Sequence, residues 1–214
     1  MKGIIFDLDG TILDTEYYQW QGWVIPLREF GIELIKERYL DYAGKSGEEI
    51  ERELIMNFKL NLRKGDLLDK KKELLKQWFS TKAISLMPFA KETIDYFYNN
   101  RSYKIALCSG GSREEVLLKL QKNNLLKYFS VIVTASDVKK SKPFPDTYRK
   151  VVSDLGLDPK ECLALEDTQY GVQSAKDAGL TCFAIPNEYS SIQDFSRADK
   201  VLKSLKDLKV IFNF

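Results

Sequence analysis

The 214-residue chain predicts an α/β protein with a Rossmann-like parallel sheet core, helices on both faces of the sheet, and an inserted helical-bundle cap domain. Residues 4–6 form a short apolar run that is typical of a strand buried on both faces. From residue 87 onward, short apolar runs alternate with helical patterns, whereas residues 15–85 show no strand. We therefore expect a core of residues 1–14 and 86–214 and a helical cap of residues 15–85.

Three segments predict the helices of the cap. The first is rich in aromatic residues and ends before Gly31, and the second opens at Gly47. The third carries an apolar stripe along one side and lysines along the other. These helices are predicted over residues 17–30, 47–58 and 66–79.

The remainder of the chain predicts strands that alternate with helices. Pro88 suits a helix start, Ser112 is a good helix cap, and Gly179 suits a helix end. The predicted strands are residues 104–108, 131–133, 162–165 and 182–185. The predicted helices are residues 89–98, 112–123, 146–155 and 169–178. Such alternation requires crossover connections and a parallel sheet, in which ligands bind at the carboxyl ends of the strands.

The composition excludes several functional classes. The net charge is +2 without a basic block, which gives no case for nucleic acid binding, and no apolar run is long enough for a predicted membrane span. The chain has no histidine, which excludes the Ser-His-Asp and Cys-His hydrolases. The three cysteines are widely spaced and the amino terminus lacks a secretory segment, so we expect a reduced, cytoplasmic protein.

Polar residues follow the predicted strands at their carboxyl ends. Asp7 and Asp9 follow the first strand, and their spacing places both carboxylates on one side of an extended chain. Later strands are followed by Ser109, Gly110 and Gly111, then by Lys142, and then by Glu166 and Asp167. We expect all of these groups to meet at one edge of the sheet.

This set of residues predicts phosphoryl transfer. Asp7 is the candidate nucleophile, which would attack phosphorus and form an aspartyl phosphate. Asp7, Asp167 and Glu166 offer the hard oxygen ligands that suit Mg²⁺. Lys142 would bind the phosphate and keep Asp7 charged.

The other polar residues suit supporting roles in the same reaction. Ser109 and the amides of Gly110 and Gly111 would donate hydrogen bonds to phosphate oxygens at the start of a helix. Asp9 suits proton transfer, first to the leaving alcohol and later from the attacking water.

Each element also has a simpler interpretation. Asp-Gly after a strand is a common turn, Ser-Gly-Gly-Ser is more often a turn than a phosphate cradle, and Lys-Pro usually belongs to a solvated loop. Glu-Asp after a strand is often only a helix cap. The order of the four elements at successive strand ends favours a shared site.

Four motifs also resemble those of a known family. They are FDLDGT at residues 6–11, Ser109, Lys142 within KPFPDTY, and Glu166-Asp167 within LEDTQYGV. With them the chain resembles the haloacid dehalogenase-like hydrolase superfamily, in the branch of phosphoglycolate phosphatase and β-phosphoglucomutase. The resemblance spans essentially the whole chain and implies an Mg²⁺-dependent enzyme with a helical cap.

The resemblance also implies a role for each motif residue. It makes Asp7 the nucleophile and a metal ligand, and Asp9 the acid and base, which binds Mg²⁺ through its backbone carbonyl. It assigns phosphate binding to Ser109 and Lys142. The remaining metal-site residues are Glu166 and Asp167.

The predicted cap departs from β-phosphoglucomutases at two positions. Gln19 replaces a histidine, and Gly47 replaces an arginine that grips the distal phosphate, with Lys45 the only nearby cation. We therefore expect hydrolysis of a small phosphomonoester, such as a sugar phosphate or a phosphoglycolate-like metabolite. The alternatives are a β-phosphoglucomutase-like phosphosugar mutase and a non-catalytic relative that binds phosphorylated ligands.

The expected substrate contacts in the cap form a separate group. They are Thr15, Tyr17, Tyr18, Gln19 and Lys45. The alternative for the tyrosines is packing within the cap. The expected partner is a small phosphorylated metabolite, with neither nucleic acid nor a membrane involved.

Overall fold

A computed structural model describes residues 1–81 and 83–213. Position 82 of the predicted cap and position 214 of the predicted core lie outside the described residues. The described strands are β1 (Gly3–Phe6), β2 (Lys104–Cys108), β3 (Val131–Val133), β4 (Cys162–Glu166), β5 (Thr181–Ala184) and β6 (Lys200–Val201). They form a parallel sheet in the order β3-β2-β1-β4-β5-β6, so β1 lies in its interior.

Two groups of helices accompany the sheet. The cap region contains α1 (Glu16–Arg28), α2 (Lys36–Tyr39), α3 (Gly47–Asn57) and α4 (Asp66–Thr81). The core contains α5 (Ala90–Asn99), α6 (Arg113–Lys122), α7 (Asp146–Leu155), α8 (Gln169–Asp177) and α9 (Asp207–Phe212). The predicted α/β class and the helical cap are confirmed.

The central strand β1 is buried on both faces. Ile4 and Phe6 pack into the apolar layer on one side of the sheet, and Ile5 packs into the layer on the other side, because successive side chains of a strand point in opposite directions. The ring of Phe6 meets those of Phe97 and Phe129 edge-on at 6.3 Å between centroids. This packing holds the end of β1 rigidly in the middle of the sheet.

Three short elements were not predicted. They are α2, α9 and β6, which contain four, six and two residues. Segments of this length are too short for a hydrophobic period to show in the sequence. Other boundaries differ from the predicted ones by one or two residues, as at α1, which ends at Arg28.

Two expectations about the chain as a whole can be compared with the described residues. Cys108, Cys162 and Cys182, which the sequence predicts to be reduced, are buried free thiols. Within residues 1–81 and 83–213, no helix combines the length and the apolar character that crossing a bilayer requires.

The cap has an apolar core of its own. Trp23 and Leu27 of α1 pack there with Leu54 of α3 and Leu67 of α4. The start of α4 is closed by a buried carboxylate from α3, that of Glu51. Its oxygens accept from the backbone N–H groups of Gly65, Leu67 and Leu68 at 2.8, 3.0 and 2.9 Å.

We expect Glu51→Ala to lower the free energy of unfolding by about 2–3 kcal/mol, because three N–H groups, two of them buried, would lose a charged acceptor. Urea denaturation at pH 7 measures the change. Glu48→Ala is the control, since Glu48 is exposed on the same helix and should cost no more than about 0.5 kcal/mol. Equal effects of the two substitutions would show that the buried carboxylate does not stabilise the cap.

Candidate active site

The end of β1 carries the first aspartates of the site. The backbone N–H of Asp7 donates to the carbonyl oxygen of Leu165 at 3.0 Å, which fixes its position relative to β4. Gly10 turns the chain with a φ of +80°, and a Cβ atom there would lie 2.2 Å from Oδ2 of Asp167. Glycine at this position therefore permits both the turn and the close approach to the end of β4.

Lys142 joins three strand ends. It lies in the loop between β3 and α7, and its ammonium group donates to Oδ1 of Asp7 at 2.6 Å, to Oε1 of Glu166 at 2.5 Å and to the carbonyl of Cys108 at 2.8 Å. Burial by itself lowers the pKa of a lysine, but the carboxylates of Asp7 and Glu166 outweigh burial and raise the pKa of Lys142. Lys142 is therefore held as a cation inside the protein.

The end of β4 provides two more carboxylates, Glu166 and Asp167, and both are buried. The hydroxyl of Tyr148 donates to Oε1 of Glu166 at 2.5 Å, and the amide of Asn187 donates to Oδ2 of Asp167 at 2.8 Å. A Cβ atom at Gly171 would lie 1.9 Å from Oε2 of Glu166, so α8 makes room for this carboxylate by having no side chain there. These partners determine the orientation of both carboxylates.

Asp7, Glu166 and Asp167 form a cluster that fits a divalent cation. One oxygen of each lies within 4.8 Å of the others. Burial raises the pKa of Asp7 and Asp167 well above that of an ordinary aspartate, and neighbouring carboxylates add to this effect, while Lys142 opposes it at Asp7. Three carboxylates and one ammonium group leave two negative charges unbalanced, and the all-oxygen donor set suits a hard ion of charge +2.

The loop between β2 and α6 borders the same cavity as the acidic cluster. Ser109 is buried, and its hydroxyl oxygen accepts from the N–H of Gly111 at 3.1 Å. Ser112 caps α6 by accepting from the N–H of Glu115 at 3.4 Å. Gly110 and Gly111 border the cavity described below. The start of α6 therefore presents backbone N–H groups of the kind that bind anions.

Asp9 is held by hydrogen bonds from two side chains that lie on other elements of the fold. Its Oδ1 accepts from the hydroxyl of Thr15 at 2.7 Å and from the ammonium group of Lys119 at 2.6 Å. Lys119 lies on α6, also contacts Glu115 at 2.5 Å, and has its Nζ 4.6 Å from the ring centroid of Phe79. The side chain of Lys119 is fully buried.

A cavity of about 460 Å³ opens over these groups, between the strand ends and the cap. Of the predicted site residues in the core, the cavity is lined by Asp7, Asp9, Gly110, Gly111, Lys142, Glu166 and Asp167. Ser109 lies outside this lining. The structure therefore brings the predicted strand-end residues to one place.

The cap residues divide into two groups. Gln19 and Lys45 line the cavity. Thr15 is buried outside the lining and contacts Asp9 instead of the cavity. Tyr17 is half-exposed, and Tyr18 packs against the aromatic rings of Trp78 and Phe79 on α4.

Four charged cap residues at the cavity were not predicted, and they are Glu16, Glu48, Lys71 and Lys72. The Nζ of Lys71 lies 4.7 Å from the ring centroid of Trp23, and burial lowers the pKa of Lys71 to about 8. The sequence contained a signal for Lys71, since it lies one helical turn from both Leu67 and Leu75, where a lysine interrupts the apolar stripe. Glu16 carried no comparable signal.

The chain is similar in sequence and fold to known hydrolases and phosphatases. The family model "Haloacid dehalogenase-like hydrolase" matches residues 4–185. The "Phosphorylated carbohydrates phosphatase" of Thermotoga maritima is 29% identical, with 84% of this chain and 82% of that protein covered. The "Fructose-1-phosphate phosphatase YqaB" of Escherichia coli is 28% identical, with 83% and 93% covered. The crystal structure of CbbY from Rhodobacter sphaeroides in complex with phosphate is similar at a TM-score of 0.84 and 25% identity, with 97% and 96% covered.

Glu16 should make the stability of the protein depend on pH. Burial, with repulsion from Asp9, raises the pKa of Glu16 from 4.5 to about 7. The stabilisation from its protonation is fully present below pH 4.5 and is lost as the pH rises through 7. Glu16→Gln should therefore be more stable than the wild type by about 1–2 kcal/mol at pH 8, with a smaller difference at pH 5.

Urea denaturation at the two pH values measures this difference. Glu33→Gln is the control, because Glu33 is an exposed carboxylate elsewhere in the cap. A difference between Glu16→Gln and wild type that is the same at both pH values would rule out a shifted Glu16 carboxyl.

Proposed function

The chain belongs to the haloacid dehalogenase-like hydrolase family, and from this premise we propose that it hydrolyses a small phosphorylated sugar with Mg²⁺ as cofactor. The observation that carries the proposal is the position of Asp7, bonded to Lys142 and beside Glu166 and Asp167 at the cavity. The names of relatives support the substrate class, since one is a phosphatase of phosphorylated carbohydrates and another of fructose 1-phosphate.

Asp7 would be the nucleophile. The Lys142 ammonium group fixes the orientation of its carboxylate through a bond of 2.6 Å to Oδ1. Because Lys142 also lines the cavity, it can bind a phosphate oxygen and reduce the repulsion between two anions that must approach each other. Orientation and charge compensation thus come from one side chain.

Mg²⁺ would be held by the carboxylates of Asp7 and Asp167, with Glu166 beside them. The resemblance implies the backbone carbonyl of Asp9 as a further ligand. When bound, it would supply positive charge that stabilises the phosphate in the transition state. Phosphate binding by the protein would fall to Lys142, to the Ser109 hydroxyl and to the amide of Gly110. Ser109 suits this role because its oxygen already accepts from Gly111, which leaves its own hydrogen to be donated elsewhere.

Asp9 would carry the protons. It lies two residues beyond Asp7 and lines the same cavity, so its carboxyl can reach the leaving oxygen of the sugar and later the attacking water. The cap would cover the bound substrate and contact the sugar with the predicted residues Gln19 and Lys45. Glu16 and Lys71, which were not predicted, would also contact the sugar.

Hydrolysis is preferred over phosphosugar isomerisation on account of the cap loop at residues 45–47. A mutase must hold the second phosphate of a bisphosphorylated intermediate. Lys45 is the cation of this loop, and its ammonium group is already bonded to Glu53 at 2.9 Å. Gly47, in place of the arginine of β-phosphoglucomutases, has no side chain that could bind a second phosphate.

We expect Asp7→Asn to lower the rate of phosphate release by at least about 10³-fold, because an amide cannot act as the nucleophile. The measurement is phosphate release from a panel of sugar phosphates, with Mg²⁺ and with a chelator, which should abolish wild-type turnover. Asp14→Asn is the control, since Asp14 is exposed and should leave the rate within about two-fold. A near-normal rate for Asp7→Asn would eliminate the proposed nucleophile.

The same panel separates the alternatives. Faster isomerisation of a sugar monophosphate than phosphate release, when a bisphosphorylated sugar is supplied, would favour the mutase. Absence of Mg²⁺-dependent release from every substrate would favour a non-catalytic relative that binds phosphorylated ligands.

A further inference from the structure

A buried lysine contacts the carboxylate assigned to proton transfer without lining the cavity. Lys119 of α6 is 0% exposed, and its ammonium group bonds to Asp9 at 2.6 Å and to Glu115 at 2.5 Å. The side chains of Asp9 and Glu115 are 19% and 20% exposed. Water can therefore solvate both carboxylates, and neither needs a buried cation to compensate its charge. Burying an ammonium group is costly, and buried ion pairs often add nothing to stability, so folding alone does not explain a lysine here.

Both bonds to Asp9 go to the same oxygen. The hydroxyl of Thr15 and the ammonium group of Lys119 donate to Oδ1 from two elements, the start of α1 and the middle of α6. Within residues 1–81 and 83–213, Oδ2 accepts no hydrogen bond. Two donors on one oxygen restrict the rotation of the carboxylate and distinguish its two oxygens.

Residues of the cap contact both Lys119 and its partner Glu115. The ring of Phe79, on α4, lies 4.6 Å from Nζ. Gln19, on α1, donates to Glu115 at 3.3 Å, and Thr15 directly precedes α1. The orientation of Asp9 therefore depends on packing that includes both parts of the fold.

We propose that Lys119 is a positioning residue for proton transfer, which holds Oδ1 of Asp9 together with Thr15 so that Oδ2 faces the reacting groups. This role rests on the proposed function. In the first step, an oxygen of Asp7 bonds to phosphorus, the bond from phosphorus to the sugar oxygen breaks, and that oxygen keeps the electron pair and takes the proton from Oδ2. In the second step, a water oxygen bonds to phosphorus and gives a proton to Oδ2, while the electron pair of the breaking bond returns to Asp7.

The test compares two leaving groups in Lys119→Met, a substitution of similar size. The value of kcat/KM reports the first step, in which a sugar alkoxide needs a proton and p-nitrophenolate does not. We expect a loss of about 30–100-fold in kcat/KM for the best sugar phosphate and of less than about three-fold for p-nitrophenyl phosphate. The KM for the sugar phosphate should change by less than about three-fold, because Lys119 does not line the cavity.

Three further variants separate positioning from packing. In an Asp9→Asn background, Lys119→Met should add less than about two-fold, since the lysine acts through Asp9. Lys119→Arg keeps a cationic donor and should restore part of the loss. Lys122→Met, at an exposed position of the same helix, should behave as the wild type. Thermal unfolding of each variant reports whether it is folded. If Lys119→Met does not fold, Lys119→Arg replaces it in the comparison. We then expect a smaller loss in kcat/KM that is again confined to the sugar phosphate.

The inference is overturned by unchanged kinetics, by equal losses on the two substrates, or by a full additional loss in the Asp9→Asn background. These outcomes leave the proposed function intact, because the wild type still releases phosphate. A wild type that releases phosphate from neither substrate overturns the proposed function, and the role of Lys119 with it.

Discussion

The contact between the ammonium group of Lys142 and the carboxylate of Asp7 is the interaction on which the rest of the site depends. Burial at the end of β1 disfavours a charged aspartate, and the nearby carboxylates of Glu166 and Asp9 add repulsion. Lys142 offsets part of this cost at 2.6 Å, and it is itself kept charged by the carboxylates around it. The cluster remains negative, so the same arrangement that destabilises the site also makes it suitable for a divalent cation.

The parallel sheet explains how such a cluster is assembled. Strand β1 lies between β2 and β4, so the residues that follow these strands emerge side by side at one edge. Lys142 reaches Asp7 across 135 positions of sequence, and Tyr148 and Gly171 shape the space around Glu166 from helices that pack on the sheet. The unbalanced charge is thus concentrated under the cap, where a cavity of about 460 Å³ can admit a small phosphorylated molecule.

Much of the core was predictable because its signals are local. The apolar runs marked the strands, Ser112 marked the start of α6 and Gly179 marked the end of α8. The strand-end positions of Asp7 and Asp9 followed from the two-residue period of a strand. The cap was harder to predict. Tyr18, close to the first motif, packs against α4, and Lys71, which interrupts the apolar stripe of α4, lies at the cavity. A helical pattern predicts which side of a helix is apolar, but it does not predict which other helix covers that side.

The sequence by itself determined the fold class, the strand ends that carry the chemistry and the types of residue found there, because hydrophobic period and motif spacing are properties of short segments. Only the tertiary structure decided which charges meet. Lys119 contacts Asp9 across 110 positions, and nothing in the pattern of α6 distinguishes its ammonium group from an exposed one. The pairing arises because α6, the start of α1 and the ring of Phe79 enclose the same small volume. A buried ammonium group is costly there unless a carboxylate pairs with it.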